Sequence, residues 1–222
     1  MMKVGIKMKR ALFFDLDGTL WNSVSSITKS WNRTRKRLNL PYVFTEKDIT
    51  SHRGLTPEET APIAFPGLEE KKALEVFRSC VRDEVKFLYK EPGILYPEEK
   101  EVLRKLKEKY PLYVVSNSDV GYIESYLDSY SFNNLFKGHL CAGDTNLPKW
   151  RNIQVLKEKE NIKEVIYIGD TKKDRVESLH AGVCFIHAAY GFGNIDPDRN
   201  PIHSIKELPR KVEEVFSKNP IK

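Results

Sequence analysis

Several things are scarce in this chain, and each scarcity narrows what it can be. It has three cysteines, Cys80, Cys141 and Cys184. They are far apart, odd in number and lack any C-x-x-C spacing, so neither a disulfide framework nor a cysteine metal site is expected. Each stands among apolar neighbours, as in LCA and VCF. Buried, inert thiols in a reducing, cytoplasmic compartment follow. No apolar run approaches the ~18 residues that cross a bilayer, so no membrane partner is expected. The opening residues, MMKVGIKMKR, are basic but have no apolar segment behind them, and are not expected to form a secretory signal. Internal repeats and low-complexity tracts are also missing, which argues against a collagen-like fibre or a disordered tail.

What is present suits a soluble globular protein: 222 residues, 40% hydrophobic and 31% charged. Lys and Arg outnumber Asp and Glu by 37 to 31, a net charge of +6. The surplus is local. Residues 1–10 carry four positive charges and residues 29–37 carry five, with no acid in either stretch. The rest of the chain has 28 basic and 31 acidic residues. A general polyanion binder is therefore not expected. Nor do aromatics interleave with the basic run as a single-strand stacking platform needs, so nucleic acid is not an expected partner. If the 29–37 patch borders a cleft, it could steer small phosphate anions inward.

The chain reads as two kinds of segment. ALFF (11–14) is a buried strand that ends in Asp15, with Gly18 soon after. Residues 24–40 follow a helical period, with Ile27, Trp31, Thr34 and Leu38 on one face and Lys29, Arg33 and Lys36 opposite. Residues 68–90 form a second long helix, with Leu74, Phe77, Val81, Val85 and Leu88 on its apolar side. EPG (91–93) breaks the pattern. Helices then alternate with short apolar strands: helix 97–109, strand 112–116, helix 119–129, strand 138–142, helix 150–160, strand 165–170, helix 171–181 and strand 183–187. Such alternation predicts an α/β fold, a Rossmann-like parallel sheet flanked by helices. The all-helical stretch 22–92 reads as an inserted domain. Residues 1–21 and 93–222 then form one core, with the reaction placed between the two. Residues 188–203 show no clear period and read as a loop.

Ligands of open parallel sheets bind at the carboxyl ends of the strands. Three strands here finish on polar residues at that edge. The first ends at Asp15, with Asp17 two residues on. The strand 112–116 ends at Ser116, followed by Asn117. The strand 165–170 ends at Gly169 and Asp170, with Asp174 four residues later. Carboxylates brought together this closely need neutralising. Carboxylate and water ligands favour magnesium, which keeps several waters and bridges to phosphate. Ser116 and backbone N–H groups can donate hydrogen bonds, and Lys149 can supply positive charge.

These residues carry a resemblance. FFDLDGTL (13–20) resembles the first signature of the haloacid dehalogenase superfamily, in the form that its phosphatases use. VVSNS (114–118), Lys149 and YIGDTKKD (167–174) resemble the second, third and fourth signatures, in the same order. Only 33 residues separate Ser116 from Lys149, so no second cap fits there, whereas the gap from Asp17 to Ser116 leaves room for a helical one. The resemblance implies that Asp15 is the nucleophile and forms an aspartyl-phosphate. It implies that Asp17 is the acid and base, and that Ser116 and Lys149 neutralise phosphoryl oxygens. Magnesium would be held by Asp15, the Asp17 carbonyl, Asp170 and, through water or by orientation, Asp174. Gly18 and Thr19 would shape the turn, with Thr19 and Asn117 on the substrate side. The family usually places Pro after the lysine, where this chain has Trp150; Lys137 is the alternative lysine, but it precedes the strand 138–142 and so falls at the wrong sheet edge.

The second acid, Asp17, disfavours dehalogenation and phosphonate cleavage, because it matches an oxygen leaving group that needs a proton. Within the superfamily the chain looks like the phosphoglycolate phosphatase-like members: DGTLWNS (17–23) parallels their pattern, with Asn22 where Asp is common. SHRGLTPEE (51–59) occupies the place of their specificity loop, which makes Arg53, and then His52, candidates for gripping a carboxylate or second phosphate. A magnesium-dependent phosphatase acting on a small phosphorylated metabolite is expected. A phosphomutase and a non-catalytic phosphate- or nucleic-acid-binding protein are the alternatives. Glycolate phosphate, sugar phosphates, nucleoside monophosphates and flavin mononucleotide all fit these motifs. The oligomeric state is not legible.

Overall fold

A computed structural model describes residues 10–51, 57–196 and 200–218. The strands are β1 (Arg10–Phe14), β2 (Trp21–Asn22), β3 (Ile94–Leu95), β4 (Leu112–Ser116), β5 (Gly138–Cys141), β6 (Glu164–Gly169), β7 (Cys184–Ala188) and β8 (Pro201–Ile202). The helices are α1 (Val24–Arg37), α2 (Glu46–Ser51), α3 (Pro57–Ala64), α4 (Glu70–Leu88), α5 (Glu99–Lys107), α6 (Tyr122–Ser129), α7 (Ala142–Thr145), α8 (Lys149–Lys159), α9 (Lys172–His180) and α10 (Leu208–Lys218). The chain divides into two compact units. One holds the chain up to Leu20, Tyr96–Ser118 and Asn133 onward; the other holds Trp21–Leu95 and Asp119–Phe132.

The first unit is built on a six-stranded sheet of order β5-β4-β1-β6-β7-β8, with every pair parallel. The central strands β1, β4 and β6 are buried almost throughout, because helices cover both of their faces. Alternate residues therefore serve opposite layers. Ala11, Phe13, Tyr113, Val115, Val165 and Tyr167 pack with Ile153 and Leu156 of α8. Phe14, on the other side, meets Phe136 edge-on at 6.0 Å. After β5 the chain returns to the far side of β1 as β6. The two progressions of the sheet thus diverge at β1, and a crevice opens there at the strands' carboxyl ends.

The second unit is helical, apart from a two-residue antiparallel ladder that pairs Trp21 with Leu95 and Asn22 with Ile94. Trp31 of α1 is its centre. Its ring meets Phe44, Phe65 and Phe77 at 5.1, 6.2 and 5.7 Å, and its Nε1 donates to Glu84 Oε2 at 2.7 Å. Of the expected α1 stripe, Ile27, Trp31 and Thr34 are buried and Lys29, Arg33 and Lys36 are exposed, but the helix ends at Arg37 and Leu38, its C-cap, is only half-buried. Much of the basic run is answered within the unit. Lys29 and Arg33 pair with Glu91, and Arg37 with Asp83.

Three expectations need correction. In α4 the fully buried residues are Ala73, Val76, Cys80, Glu84, Phe87 and Leu88, whereas Leu74, Phe77, Val81 and Val85 are half-buried. Because α4 packs against α1, α3 and α6, its buried arc is wider than one stripe and rotated from it. Second, Asp119–Phe132 groups with the helical unit, outside the expected 22–92. Trp21 packs on Tyr122 and Tyr126 at 5.7 and 5.3 Å, and Tyr122 donates to Ser23 Oγ at 3.0 Å. Third, the loop 188–203 contains β8, and α10 follows it. Two residues of strand are too few to show a period.

Cys80 and Cys141 are buried as expected, whereas Cys184, at the start of β7, is only half-buried. Burial pushes the Cys80 and Cys141 thiols up to about 12, the first reinforced by Glu84 and Asp83 and the second by Asp144. Thiols raised in this way hold little of the reactive thiolate form at neutral pH. Among the described residues, no helix is long and apolar enough to cross a membrane.

The Trp31 cluster predicts a large stability effect. Trp31→Ala should destabilise the protein by about 3–5 kcal/mol in chemical denaturation. A loss below about 1 kcal/mol would show that the cluster can collapse onto the cavity.

Candidate active site

Four buried charged side chains, Asp15, Lys149, Asp170 and Asp174, meet in the crevice at the end of β1. Asp15 follows the last residue of β1, and its N–H donates to the Ile168 carbonyl of β6 at 2.8 Å. Parallel register aligns Phe14 with Val114 on one side and Ile168 on the other. Asp15 therefore stands between the ends of β4 and β6, flanked by Ser116 and by Gly169-Asp170.

Lys149, the first residue of α8, reaches into this group. Its Nζ donates to Asp15 Oδ1 at 2.7 Å and to Asp174 Oδ1 at 2.5 Å. All three side chains are nearly or fully buried. Asp174 is held by helix-capping chemistry. Thr171 caps α9, accepts from the Asp174 N–H, and donates its own N–H and Oγ1 to Asp174 Oδ2 at 3.0 and 2.6 Å. Gly169 makes room for this carboxylate, since a Cβ there would stand 2.7 Å from Asp174 Cβ. The glycine of the fourth signature thus has a steric cause.

One carboxylate oxygen from each of Asp15, Asp170 and Asp174 lies within 4.8 Å of the others, and all three residues are buried. Lys149 is the cation bonded to two of them. If all are ionised, these four side chains carry two surplus negative charges. Burial, opposed by Lys149 but aided by Asp174 and Asp170, pushes the Asp15 carboxyl from 3.8 up to about 8. Burial works against the Lys149 ammonium as well, but Asp15 and Asp174 outweigh it and hold Lys149 well above the usual lysine range. One ammonium does not compensate three buried carboxylates. Close-set carboxylate oxygens of this kind suit a hard divalent cation.

The other predicted residues are distributed as follows. Ser116 is buried and its Oγ accepts from the Ser118 N–H at 3.2 Å. Asn117 is exposed, and Asp17 is half-buried. Thr19 is fully buried, and its Oγ1 has no hydrogen-bond partner among the described residues. His52 and Arg53 lie outside the described residues. Lys137, at the start of β5, bonds Glu160, and its N–H donates to Leu112 at the start of β4. It therefore stands at the amino ends of the strands, away from Asp15. The unusual Trp150 also has a reason: its N–H donates to Glu177 Oε2 at 2.8 Å, a bond that proline could not make.

Two contributions escape the sequence pattern. Tyr167 lies fully buried beneath the pair. Its hydroxyl donates to the Val115 carbonyl at 2.8 Å and lies 3.5 Å from Asp15 Oδ1, and its ring centroid is 5.5 Å from Lys149 Nζ. Nothing separates it in sequence from an ordinary strand aromatic. The second is the turn after β7, where the Phe192 N–H donates to Asp170 Oδ2 at 2.8 Å. Its signal is the pair of glycines around Phe192, at 191 and 193.

Comparison with known proteins agrees with this geometry. The model of the haloacid dehalogenase-like hydrolase family matches residues 12–188. A phosphoglycolate phosphatase of Haemophilus influenzae is 30% identical over 192 residues, covering 81% of this chain and 85% of that protein. One from Pasteurella multocida is 28% identical over 199 residues, with 81% and 85% covered. A solved haloacid dehalogenase-like hydrolase from Streptococcus pneumoniae superposes with a TM-score of 0.77 at 24% identity, covering 92% of this chain and 98% of that one.

The raised Asp15 carboxyl predicts a pH effect on the metal-free protein. Folded Asp15 keeps its proton up to about 8, while an unfolded carboxyl loses it near 3.8. The folded state then binds more protons across this window, so stability falls as pH rises through it. In excess chelator the melting temperature should be higher at pH 5 than at pH 8, and Asp15→Asn should flatten the difference. A dependence equally steep in Asp15→Asn would assign it to other groups.

Proposed function

The chain belongs to the haloacid dehalogenase-like hydrolases, and on that premise we propose that it is a phosphatase that hydrolyses small phosphomonoesters through Asp15 with the help of magnesium. The observation that carries the reading is Asp15 itself. It is a buried carboxylate at the carboxyl end of the central strand, held by one lysine and close to two more carboxylates.

Asp15, Asp170, Asp174 and the Asp17 carbonyl are the groups that would hold the ion. Bound there, magnesium supplies the positive charge that keeps Asp15 ionised and offsets charge on the phosphoryl oxygens. A free Asp15 oxygen attacks phosphorus and the ester P–O bond breaks, leaving the phosphoryl group on Asp15. Asp17 gives its proton to the departing alkoxide. Asp17, now a carboxylate, takes a proton from water as that water attacks phosphorus. The bond from phosphorus to Asp15 breaks, releasing phosphate and restoring the enzyme. Ser116 and Lys149 stabilise the equatorial oxygens during both transfers. The half-buried position of Asp17 supports a group that meets both a leaving oxygen and water. In this reading the helical insertion is a cap, and Arg53, with His52 beside it, selects the organic part of the substrate.

The names of the Haemophilus and Pasteurella relatives support a small phosphorylated carboxylate as the first substrate to test. Purified protein should release phosphate from p-nitrophenyl phosphate and from phosphoglycolate with magnesium, and lose both activities in chelator until magnesium is restored. Asp17→Asn should lower turnover by roughly 10²–10⁴-fold, and Asp15→Asn should abolish it. Undiminished turnover in Asp15→Asn would sink the proposal. Arg53→Ala should raise KM for phosphoglycolate and spare p-nitrophenyl phosphate; equal changes in both would remove Arg53 from substrate selection.

A further inference from the structure

We propose that the turn 190–193, which follows β7, is a backbone clamp that presets Asp170 for a divalent cation, so that this turn is part of the metal-binding apparatus. The inference rests on the metal-dependent reading above and adds residues that none of the four signatures contains.

The turn touches both strand-end segments of the crevice. The Tyr190 hydroxyl donates to the Thr19 carbonyl at 2.8 Å, in the turn after β1. The Phe192 N–H donates to Asp170 Oδ2 at 2.8 Å, at the end of β6. The turn itself is closed by the Gly191 N–H on the Ala188 carbonyl at 3.0 Å, and the Tyr190 ring packs on Tyr96 at 4.7 Å. The Asp170 peptide is held from the same side, since the ring Nε2 of buried His187 lies 3.1 Å from its carbonyl oxygen.

Glycine is needed here for space. A Cβ on Gly191 would overlap the Gly18 carbonyl and Asp170 Cβ, and one on Gly193 would overlap the Asp170 carbonyl. Neither residue adopts a positive φ, so the demand is for close approach and not for an unusual backbone. Gly18 faces the same contact from the other side: a Cβ there would overlap Asp170 Oδ2 and stand 2.7 Å from the Phe192 ring.

The physical consequence concerns charge. Asp15 and Asp174 share an ammonium, but the turn orients Asp170 with a neutral N–H. That bond fixes the rotation of the carboxylate without cancelling its charge. Groups that orient a metal ligand in this way contribute strongly to affinity.

The test is titration calorimetry of the full chain, stripped of metal, with magnesium chloride alone. Gly191→Ala should weaken binding by about tenfold or more. Tyr190→Phe keeps the ring on Tyr96, loses only the bond to Thr19, and should weaken binding less. Melting of each metal-free variant reports whether it folds; if Gly191→Ala does not, Tyr190→Phe decides alone. Wild-type affinity in the folded variants would overturn the clamp and leave the functional reading standing. A wild-type protein that binds no magnesium would overturn the metal-dependent reading itself.

Discussion

Three carboxylates gathered out of water, two of them bonded to the Lys149 ammonium, set the terms for the crevice at the end of β1. Isolated charges are expensive to bury, and like charges brought together are more so. Lys149 answers Asp15 and Asp174 directly, at 2.7 and 2.5 Å. Burial, opposed by Lys149 and aided by Asp174 and Asp170, raises the Asp15 carboxyl to about 8. Additional positive charge would favour the ionised form of this carboxyl. The cost of assembling the charges is one that an added cation would offset.

The surrounding fold is organised to hold that arrangement. Asp15 and Asp170 come from the ends of neighbouring parallel strands, where register fixes their spacing. Lys149 and Asp174 come from the first turns of α8 and α9, which pack on the sheet. Asp174 serves both the Lys149 ion pair and the capping box of its own helix, so one side chain couples helix α9 to the electrostatics of the site. Glycines at 18, 169, 191 and 193 let backbone and carboxylates approach more closely than any side chain would allow. Tyr167 closes the floor by joining the Val115 carbonyl to the neighbourhood of Asp15 and Lys149.

The helical unit follows a different logic. Its interior is an aromatic cluster around Trp31, and a buried acid there, Glu84, accepts the indole N–H. The basic run 29–37, one of the two stretches behind the positive surplus, lies on α1, with Lys29, Arg33, Lys36 and Arg37 exposed and Arg35 half-buried. Glu91 and Asp83 answer three of its five cations. Most of this run is thus met by local surface pairing, worth little individually to stability.

The amino-acid sequence alone determined the alternation that makes a parallel sheet, the strand ends at Asp15, Ser116 and Asp170, and the choice of Lys149 over Lys137. These were legible because each is local: a short apolar run ending in a polar residue reports its own place in a sheet. Helix α4 was legible as a helix but not in its buried arc, since that arc depends on three separate neighbours. The turn at 190–193 was opaque for a related reason. Its glycines matter because of Gly18 and Asp170, which are distant in sequence and adjacent only after folding. The role of Tyr167 and the partner of the Trp150 N–H were likewise decided by tertiary structure. Periodicity records which way a side chain points; only the folded chain decides which distant group it meets.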